Sequence, residues 1–322
     1  MKRRPCLLLC AAALIASAAP PASAQAYPRS AISVVTPYAP GDATDLALRP
    51  MADELSKLLK VPVLVINRPG AGGALGTESV AKAAKDGHTL LFTANATLTF
   101  RRIIDPATAP YDVYRDFALL GMSTRIPNVV AIRSDLPYRT LAEVVEFAKK
   151  NPGRLRVGTA GAGTVGDFTI RNLNALTGAD ITMVPLKGAS PAVTDALGGH
   201  IEGVALALGV VSSHMKSGAF RGVAISSRFP DFPDVPMLRE LGYAQNIFGL
   251  WLGFLAPAGV SQEVLSVLVP AIEKVVKDPA LAARLLARGL VQEYATPEAL
   301  LVEMRDEQRA IEDIARRAGI LK

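Results

Sequence analysis

The chain has 322 residues, of which 50% are hydrophobic, and a formal net charge of +6. Its basic residues are scattered among acidic ones and form no run interleaved with aromatic residues, which argues against nucleic-acid binding. After the N-terminal segment, no stretch reaches the ~18 uninterrupted apolar residues that a membrane-spanning helix needs. Length and apolar content together suit two α/β domains of ordinary size.

The N-terminal segment predicts export. Basic residues 2–4 precede an apolar stretch, and small residues stand just before Gln25, which is the pattern of a secretory signal peptide. We therefore predict that residues 1–24 are removed by cleavage between Ala24 and Gln25, and that the mature protein lies in the periplasm. A lipoprotein signal at Cys10 is the alternative, disfavoured by the large residue before that cysteine. Both cysteines fall inside the segment, so no disulfide is expected in the mature chain.

The next residues alternate between β-branched strands and helices. Strands are predicted at 31–36, 61–66 and 89–94, and helices at 46–59 and 75–84. Such a β-α-β-α-β series builds a parallel sheet with right-handed crossovers. The loops 37–44, 67–73 and 94–99 should then gather at one edge of the sheet, which is where ligands of open α/β sheets bind.

Strands predicted at 118–123 and 129–132 lead out of this first unit. A second alternating unit follows, with strands predicted at 156–160, 181–185, 204–208 and 221–225, and helices at 140–150, from 161–164 to 176, and at 190–198 and 211–217. A strand at 248–255 returns the chain to the first unit, and helices at 261–276, 279–288 and 297–318 complete it.

This order predicts an α/β fold of two lobes, with two crossing connections and a cleft between the lobes that closes about a hinge. We place lobe 1 at residues 25–124 and 241–322, and lobe 2 at residues 125–240.

The sequence offers no set of catalytic or metal-binding residues. His88, His200 and His214 stand alone and form no paired ligand motif. Ser190 lacks a nucleophile-elbow context and is interpreted as a helix N-cap, because proline follows it. The glycine-rich turns lack both the acidic ribose partner and the Lys-Ser/Thr ending of nucleotide loops. We therefore predict no enzyme activity, no metal and no cofactor.

Residues 36–45 join a strand to a helix and favour an anion site. Thr44 and Asp45 can cap the helix, whose first N–H groups lack intrahelical acceptors and, together with the helix dipole, attract a negative charge. An ordinary βα turn is the alternative interpretation. The turn at 161–164 also exposes backbone N–H groups without acceptors at the start of a helix. Lys187 either faces an anionic ligand or is a solvated loop lysine.

A series of short motifs occurs in one order along the mature chain. They are TPYAPG and TD within 36–45, NRPGAGG at 67–73, AKAAKDG at 81–87, YD at 111–112, PN at 127–128, AGAGT at 160–164, VPLKG at 184–188, LGG at 197–199, DVP at 234–236 and LAPAG at 255–259. This series resembles the Bug family, the solute-binding receptors of tripartite tricarboxylate transporters. The resemblance implies a type II periplasmic binding-protein fold that closes over a small carboxylate, with membrane transporter subunits as partners. No tight oligomer is predicted.

In the Bug family, backbone amides, hydroxyls and ordered water hold the carboxylate on the loop after the first strand and on loops of the second lobe. Carried onto this sequence and joined with the loops identified above, this gives the predicted ligand-binding residues Tyr38, Ala39, Gly41, Asp42, Thr44, Asp45, Asn95, Ala96, Thr97, Gly161, Gly163, Thr164, Lys187 and Leu206.

Four departures from the family pattern bear on the ligand. Asp42-Ala43 stands where the family has Gly-Gly, and Val165-Gly166-Asp167 stands where Ser-Ser-His is common. Leu206 replaces an acidic residue and Leu186 replaces a tyrosine. Because these changes add an acid on one side and apolar surface on the other, we predict a ligand with a carboxylate at one end and an apolar or aromatic body.

The predicted function is capture of a small organic acid and its delivery to a membrane transporter. One alternative is a sensor, in which the closed form docks on the outer domain of a signalling receptor. Another is a small-molecule enzyme on the same fold, which would need an assembled nucleophile and base or a metal cluster.

Overall fold

The structure is a computed structural model that describes residues 27–104 and 106–317. The predicted signal peptide, residues 1–24, and its cleavage point lie outside the described residues. Within the described ranges, no helix combines the length and the hydrophobicity needed to cross a bilayer.

Strands and helices alternate along most of the chain. The strands are β1 (Ile32–Thr36), β2 (Val63–Asn67), β3 (Thr89–Ala94), β4 (Phe117–Ile126), β5 (Asn128–Arg133), β6 (Leu155–Thr159), β7 (Ile181–Pro185), β8 (Gly203–Ala207), β9 (Phe220–Ile225), β10 (Leu250–Pro257) and β11 (Val291–Ala295). The α-helices are α1 (Ala43–Leu59), α2 (Ala74–Ala81), α3 (Arg101–Ile104), α4 (Val113–Asp116), α5 (Leu141–Lys150), α6 (Val165–Thr177), α7 (Ala189–Leu197), α8 (Leu208–Lys216), α9 (Gln262–Val276), α10 (Pro279–Leu286) and α11 (Pro297–Arg317). A π-helix at Ala96–Phe100 precedes α3, and single 3₁₀ turns occur at Ala71–Gly73, Pro106–Thr108 and Leu238–Leu241.

The strands form two mixed sheets. The first has the order β11-β4-β10-β3-β1-β2, and the second has the order β7-β6-β8-β5-β9. In the first sheet β1 is parallel to β2 and β3, as the β-α-β-α-β pattern predicts, whereas β10 runs antiparallel to β3 and β4. We call the first sheet with its helices lobe 1 and the second sheet with its helices lobe 2. The two-lobe α/β fold is therefore confirmed.

The chain crosses between the lobes twice, and the two crossing segments lie next to each other. The chain leaves β4 for β5 through Pro127, and it returns after β9 into β10. Asn128 and Ser226 tie these crossings together, since the N–H of Asn128 donates to Ser226 Oγ and the N–H of Ser226 donates to the carbonyl of Asn128, both at 2.9 Å. The lobe boundaries at 124/125 and 240/241 stay predictions.

Two local predictions are wrong, and one strand is not predicted. Residues 94–99 are not a loop, because a π-helix begins at Ala96 and runs directly into α3. Ser190 does not cap α7: Gly188 does, with a φ of 122° that side chains rarely adopt, so the helix already begins at Ala189. The sequence does not predict β11, because polar residues interrupt the alternation of apolar and polar side chains in this strand.

An apolar cluster joins the lobes behind the cleft. The Phe100 ring of lobe 1 meets Phe168 of α6 edge-on at 5.3 Å between ring centroids, and Phe248 lies 5.4 Å from Phe100. Ile311 and Ile314 of α11 pack on the same cluster. The last helix of the chain thus covers the seam between the two lobes.

Candidate functional site

The turn between β1 and α1 is built around Asp42. Gly41 takes a φ of 81°, which turns the chain after two prolines, and Asp42 then caps α1 with an extended backbone. Its Oδ1 accepts from the N–H of Thr44 at 3.3 Å and from the Thr44 hydroxyl at 3.4 Å. The prediction that Thr44 and Asp45 cap this helix is therefore wrong by two or three residues, since the extended conformation falls on Asp42.

Asp42 is buried in the cleft. Only 9% of the residue is exposed, and burial raises the pKa of its carboxyl to about 6, against the lowering effect of the hydrogen bonds from Thr44. Burial, reinforced by the negative charge of Asp42, also raises the pKa of the neighbouring Tyr38. Tyr38 therefore presents a neutral hydroxyl at physiological pH.

Asp45 performs a structural task instead. Its carboxylate accepts from Arg49, from Asn67 and from the N–H of Gly41 at distances of 2.8 to 3.0 Å. Although burial acts in the opposite direction, these donors hold the pKa of Asp45 below its usual value. Asp45 thereby fastens the cleft loop to the start of α1 and to the end of β2.

The opposing wall is the turn before α6 in lobe 2. Thr164 caps α6 by accepting from the N–H of Asp167 at 3.4 Å, and its hydroxyl donates to the carbonyl of Gly161 at 2.8 Å. Gly166 lets the helix start approach β8, because a Cβ there would lie 2.1 Å from the carbonyl oxygen of Ala205. The first turn of α6 is thus held tightly against the sheet.

Two neighbouring cavities lie between the lobes. The inner cavity has a volume of about 30 Å³ and is lined by Tyr38, Asp42, Thr44, Ala96, Asn128, Ala160, Thr164, Val165, Gly166, Ala189, Ala205, Leu206, Ala207, Val210 and Leu250. The outer cavity has a volume of about 610 Å³ and is lined by Pro37, Tyr38, Ala39, Asp42, residues 69–73, Arg101, Thr108, residues 160–162 and residues 185–188. Tyr38, Asp42 and Ala160 belong to both walls.

Helix N-termini converge on the inner cavity. Asp42 and Thr44 begin α1 of lobe 1, and Thr164, Ala189 and Ala207 stand at the starts of α6, α7 and α8 of lobe 2. The first N–H groups of a helix lack intrahelical acceptors, and each helix dipole is positive at this end. Both lobes therefore direct positive electrostatic potential toward one small space, which suits an anion.

Two buried polar atoms on the cavity wall lack a partner among the described residues. Asn128 donates from Nδ2 to Thr169 at 2.9 Å, while its Oδ1 has no hydrogen-bond partner. The Tyr38 hydroxyl also has none, since Thr93 lies near it without reaching hydrogen-bond geometry. Buried polar groups are seldom left unpaired, so a hydroxyl donor and an amide acceptor are available for a molecule in the cleft.

Nine predicted ligand-binding residues line the cavities: Tyr38, Ala39, Asp42, Thr44, Ala96, Gly161, Thr164, Lys187 and Leu206. The other five lie behind these walls: Gly41, Asp45, Asn95, Thr97 and Gly163. Asn95 donates to the carbonyl of Gly249 and to Glu307, and Thr97 shares a 2.7 Å hydrogen bond with Thr93. Direct contact with a ligand stays a prediction for all of them.

Sequence reasoning missed three polar residues of the cleft, Asn128, Arg101 and Thr108. Asn128 had a signal, since it is a polar residue at the crossing between the lobes. Arg101 had no such signal, because the adjacent Arg102 is chemically identical. The two differ only in packing: Arg101 is 3% exposed, whereas the side chain of Arg102 is 33% exposed.

A buried carboxyl supports the cleft from behind. Glu307 of α11 accepts from Asn95 and from the Thr99 hydroxyl at 2.7 Å, and from the Trp251 indole N–H at 3.1 Å. Burial raises the pKa of Glu307 to about 7 although all three hydrogen bonds favour the charged form. Glu307 thereby links α11 to the end of β3 and to β10.

Among residues 27–104 and 106–317, no three His, Cys, Asp or Glu side chains group as metal ligands would.

Comparison with known proteins agrees with this geometry. BugT of Bordetella pertussis is 32% identical over 306 residues, which cover 94% of each protein. A solved structure described as a periplasmic transporter is 33% identical and superposes with a TM-score of 0.87 over 92% of this chain and 99% of that one. MatC of Rhodopseudomonas palustris, solved with bound malate, is 28% identical with a TM-score of 0.84, over 89% of this chain and 99% of that one.

The profile of one protein family matches residues 47–320, which include most of both lobes and every cavity wall except the turn after β1. Its description is tripartite tricarboxylate transporter family receptor. The resemblance inferred from the motifs is thereby confirmed. With its two-lobe fold, the chain belongs to the tripartite tricarboxylate transporter receptor family, the family of the Bug proteins.

Proposed function

We propose that this protein captures a small organic carboxylate between its lobes and delivers it to the membrane subunits of a tripartite transporter. The convergence of helix N-termini from both lobes on the inner cavity supports this proposal most directly. MatC, a relative with the same fold, was solved with malate. We propose further that the protein is exported, that its signal peptide is cleaved between Ala24 and Gln25, and that the receptor works in the periplasm.

The carboxylate of the ligand belongs at the inner end of the cleft. There it meets the start of α6 and the neutral hydroxyl of Tyr38, both of which can donate hydrogen bonds. Leu206 is 3% exposed on this wall and contributes no charge. The rest of the ligand then extends into the outer cavity, past Asp42.

The body of the ligand is apolar near Leu186. Pro37, Pro185 and Leu186 form apolar parts of the outer wall, whereas Asp42 stands at the junction of the two cavities. A second carboxylate next to Asp42 would be repelled, while a hydroxyl or amine there would be accepted. The favoured ligand therefore has one carboxylate, an apolar or aromatic body, and room for one hydrogen-bond donor.

Calorimetric titration of the purified mature protein tests this proposal. The panel contains benzoate, nicotinate, glutamate, succinate, malate and citrate. We expect the single-carboxylate aromatic acids to bind more tightly than the aliphatic diacids. Tight binding of citrate alone would overturn the ligand class, and no thermal shift with any member would overturn the carboxylate-binding proposal.

A pair of asparagine variants controls for folding. Asn128→Ala removes an amide of the cavity wall, and we expect weaker binding of whichever acid binds the wild type. Asn172→Ala removes an equally buried asparagine of α6, whose Nδ2 also lacks a partner among the described residues, outside both cavity walls. Equal losses of affinity in the two variants would show that Asn128 acts only through stability.

A further inference from the structure

One cationic side chain crosses from lobe 1 to lobe 2 at the outer cavity. Arg101 begins α3, directly after the π-helix, and is 3% exposed. Its Nη2 donates to the carbonyl oxygen of Ala162 in lobe 2 at 2.7 Å, and its Nη1 donates to the Thr108 hydroxyl of its own lobe at 2.5 Å. The guanidinium is therefore anchored in one lobe and hydrogen-bonded to the other.

Two glycines, one from each lobe, make room for this side chain. A Cβ on Gly72 would lie 1.8 Å from Arg101 Nη2, and a Cβ on Gly163 would lie 2.9 Å from the same atom. Both glycines have positive φ values, of 58° and 73°. The glycine-rich turns that line the cleft thus enclose the guanidinium, in addition to exposing backbone to a ligand.

We propose that Arg101 is the closure latch of the receptor, by which we mean a side chain whose hydrogen bond to the other lobe stabilises the closed form. Opening the cleft moves the Ala162 carbonyl away from lobe 1, so the hydrogen bond between Arg101 and Ala162 exists in the closed form alone. A hydrogen bond from a charged donor stabilises the state that contains it more than a neutral one does. Arg101 therefore shifts the population toward the closed form and slows ligand release, as a positioning residue that acts through the lobes.

The neighbouring arginine provides a matched control. Arg102 is one residue away and carries the same charge, but its ion pair is with Asp112 of lobe 1, at 3.0 Å. Because this ion pair lies within lobe 1, removing Arg102 leaves the hydrogen bond between Arg101 and Ala162 in place. Thr108→Val provides a milder second variant, because it removes a support of Arg101 at an exposed position where folding is tolerant.

Distances between spin labels on the two lobes test the latch without a ligand. The sequence has no cysteine after residue 10, so Arg68→Cys in lobe 1 and Thr194→Cys in lobe 2 give a clean labelling pair. We expect a short-distance population in the unsubstituted labelled protein, a loss of that population by about tenfold or more in Arg101→Met, an intermediate loss in Thr108→Val, and no change in Arg102→Met. A short-distance population that is absent before substitution, or unchanged in Arg101→Met, overturns the proposal.

Ligand kinetics distinguish a latch from a direct ligand contact. This arm rests on the proposed function, and its probes are benzoate and malate. A latch predicts that Arg101→Met speeds the dissociation of both acids by the same factor, with little change in association rate. A larger effect on dianionic malate than on benzoate would show that Arg101 binds the ligand and would overturn the latch. Failure of both acids to bind the wild type counts against the proposed function, while the spin-label distances still decide the latch.

Discussion

Two aspartates three positions apart illustrate how surroundings decide the role of a residue. Asp42 has few donors and lies in the cleft, so burial raises the pKa of its carboxyl to about 6. Asp45 has Arg49, Asn67 and the N–H of Gly41 around it, and these donors hold its pKa below the usual value despite its burial. The same side chain is therefore a costly charge in one place and a stable anchor in the other.

The two aspartates should affect the pH dependence of stability in opposite directions. A carboxyl with a raised folded-state pKa contributes its full stability below its unfolded pKa of about 3.9, and this contribution is lost as the pH rises through about 6. In Asp42→Asn we therefore expect the unfolding free energy to gain roughly 1–3 kcal/mol at pH 7 relative to pH 4, compared with the wild type. Urea unfolding at the two pH values measures this change.

Asp45→Asn is the matched control for that measurement. Because the pKa of Asp45 is lowered, its stabilisation is present above the unfolded pKa and is lost as the pH falls. This variant should lose stability at pH 7 and lose less at pH 4.

Asn retains the capping ability of Asp, so Asp42→Asn keeps the start of α1 intact. Parallel pH profiles for Asp42→Asn and the wild type would contradict the buried position of Asp42.

At the residue scale, the sequence predicts those cleft residues whose position follows from the order of strands and helices. Asp42, Thr44 and Thr164 follow strands and start helices, so their position relative to a sheet edge is encoded locally. Arg101 and Arg102 have no such local difference. The burial of Arg101 depends on glycines that are distant in sequence, Gly72 and Gly163, and a local pattern cannot reveal that contact.

At the level of elements, the strands are the most predictable part. β3 and β7 match their predicted bounds, because β3 is an apolar run that begins after the Asp86-Gly87 turn and β7 is a similar run that ends at Pro185. The π-helix at Ala96–Phe100 is different: it follows a strand without a glycine or proline, and Thr97 and Thr99 bond back to carbonyls at 94 and 95. Side chains that satisfy nearby backbone groups in this way leave no distinctive period in the sequence.

Two threonine N-caps separate binding from helix stability. Thr164 starts α6 at the inner cavity, and Thr140 starts α5 away from it with a complete capping box to Glu143. We expect Thr164→Ala and Thr140→Ala each to lower the unfolding free energy by about 1 kcal/mol. Only Thr164→Ala should also weaken carboxylate binding, since it changes a helix start on the cavity wall. Urea unfolding and calorimetric titration of both variants measure the two effects, and a comparable affinity loss in Thr140→Ala would contradict this assignment.

The whole molecule joins its lobes by two kinds of contact. Aromatic and aliphatic side chains fill the seam behind the cleft, from Phe100 and Phe168 to Ile311 of α11. The guanidinium of Arg101 crosses at the outer cavity. Apolar burial is nondirectional and tolerates small rotations, whereas a hydrogen bond at 2.7 Å does not. The first contact can therefore hold the lobes together while the second opens.

We expect the apolar seam between the lobes to make them unfold as one unit. Phe168 is 1% exposed and bridges the lobes, whereas Phe147 packs on Tyr138 inside lobe 2, with ring centroids 4.6 Å apart. We expect Phe168→Ala to lower the unfolding free energy by about 3–5 kcal/mol and to split the calorimetric transition, because lobe 2 loses a large apolar contact with lobe 1. Phe147→Ala should lower the melting temperature while the transition stays single. If both variants melt in one transition with equal calorimetric and van't Hoff enthalpies, the lobes are coupled by the chain crossings at Pro127 and Gly249 instead of by the aromatic seam.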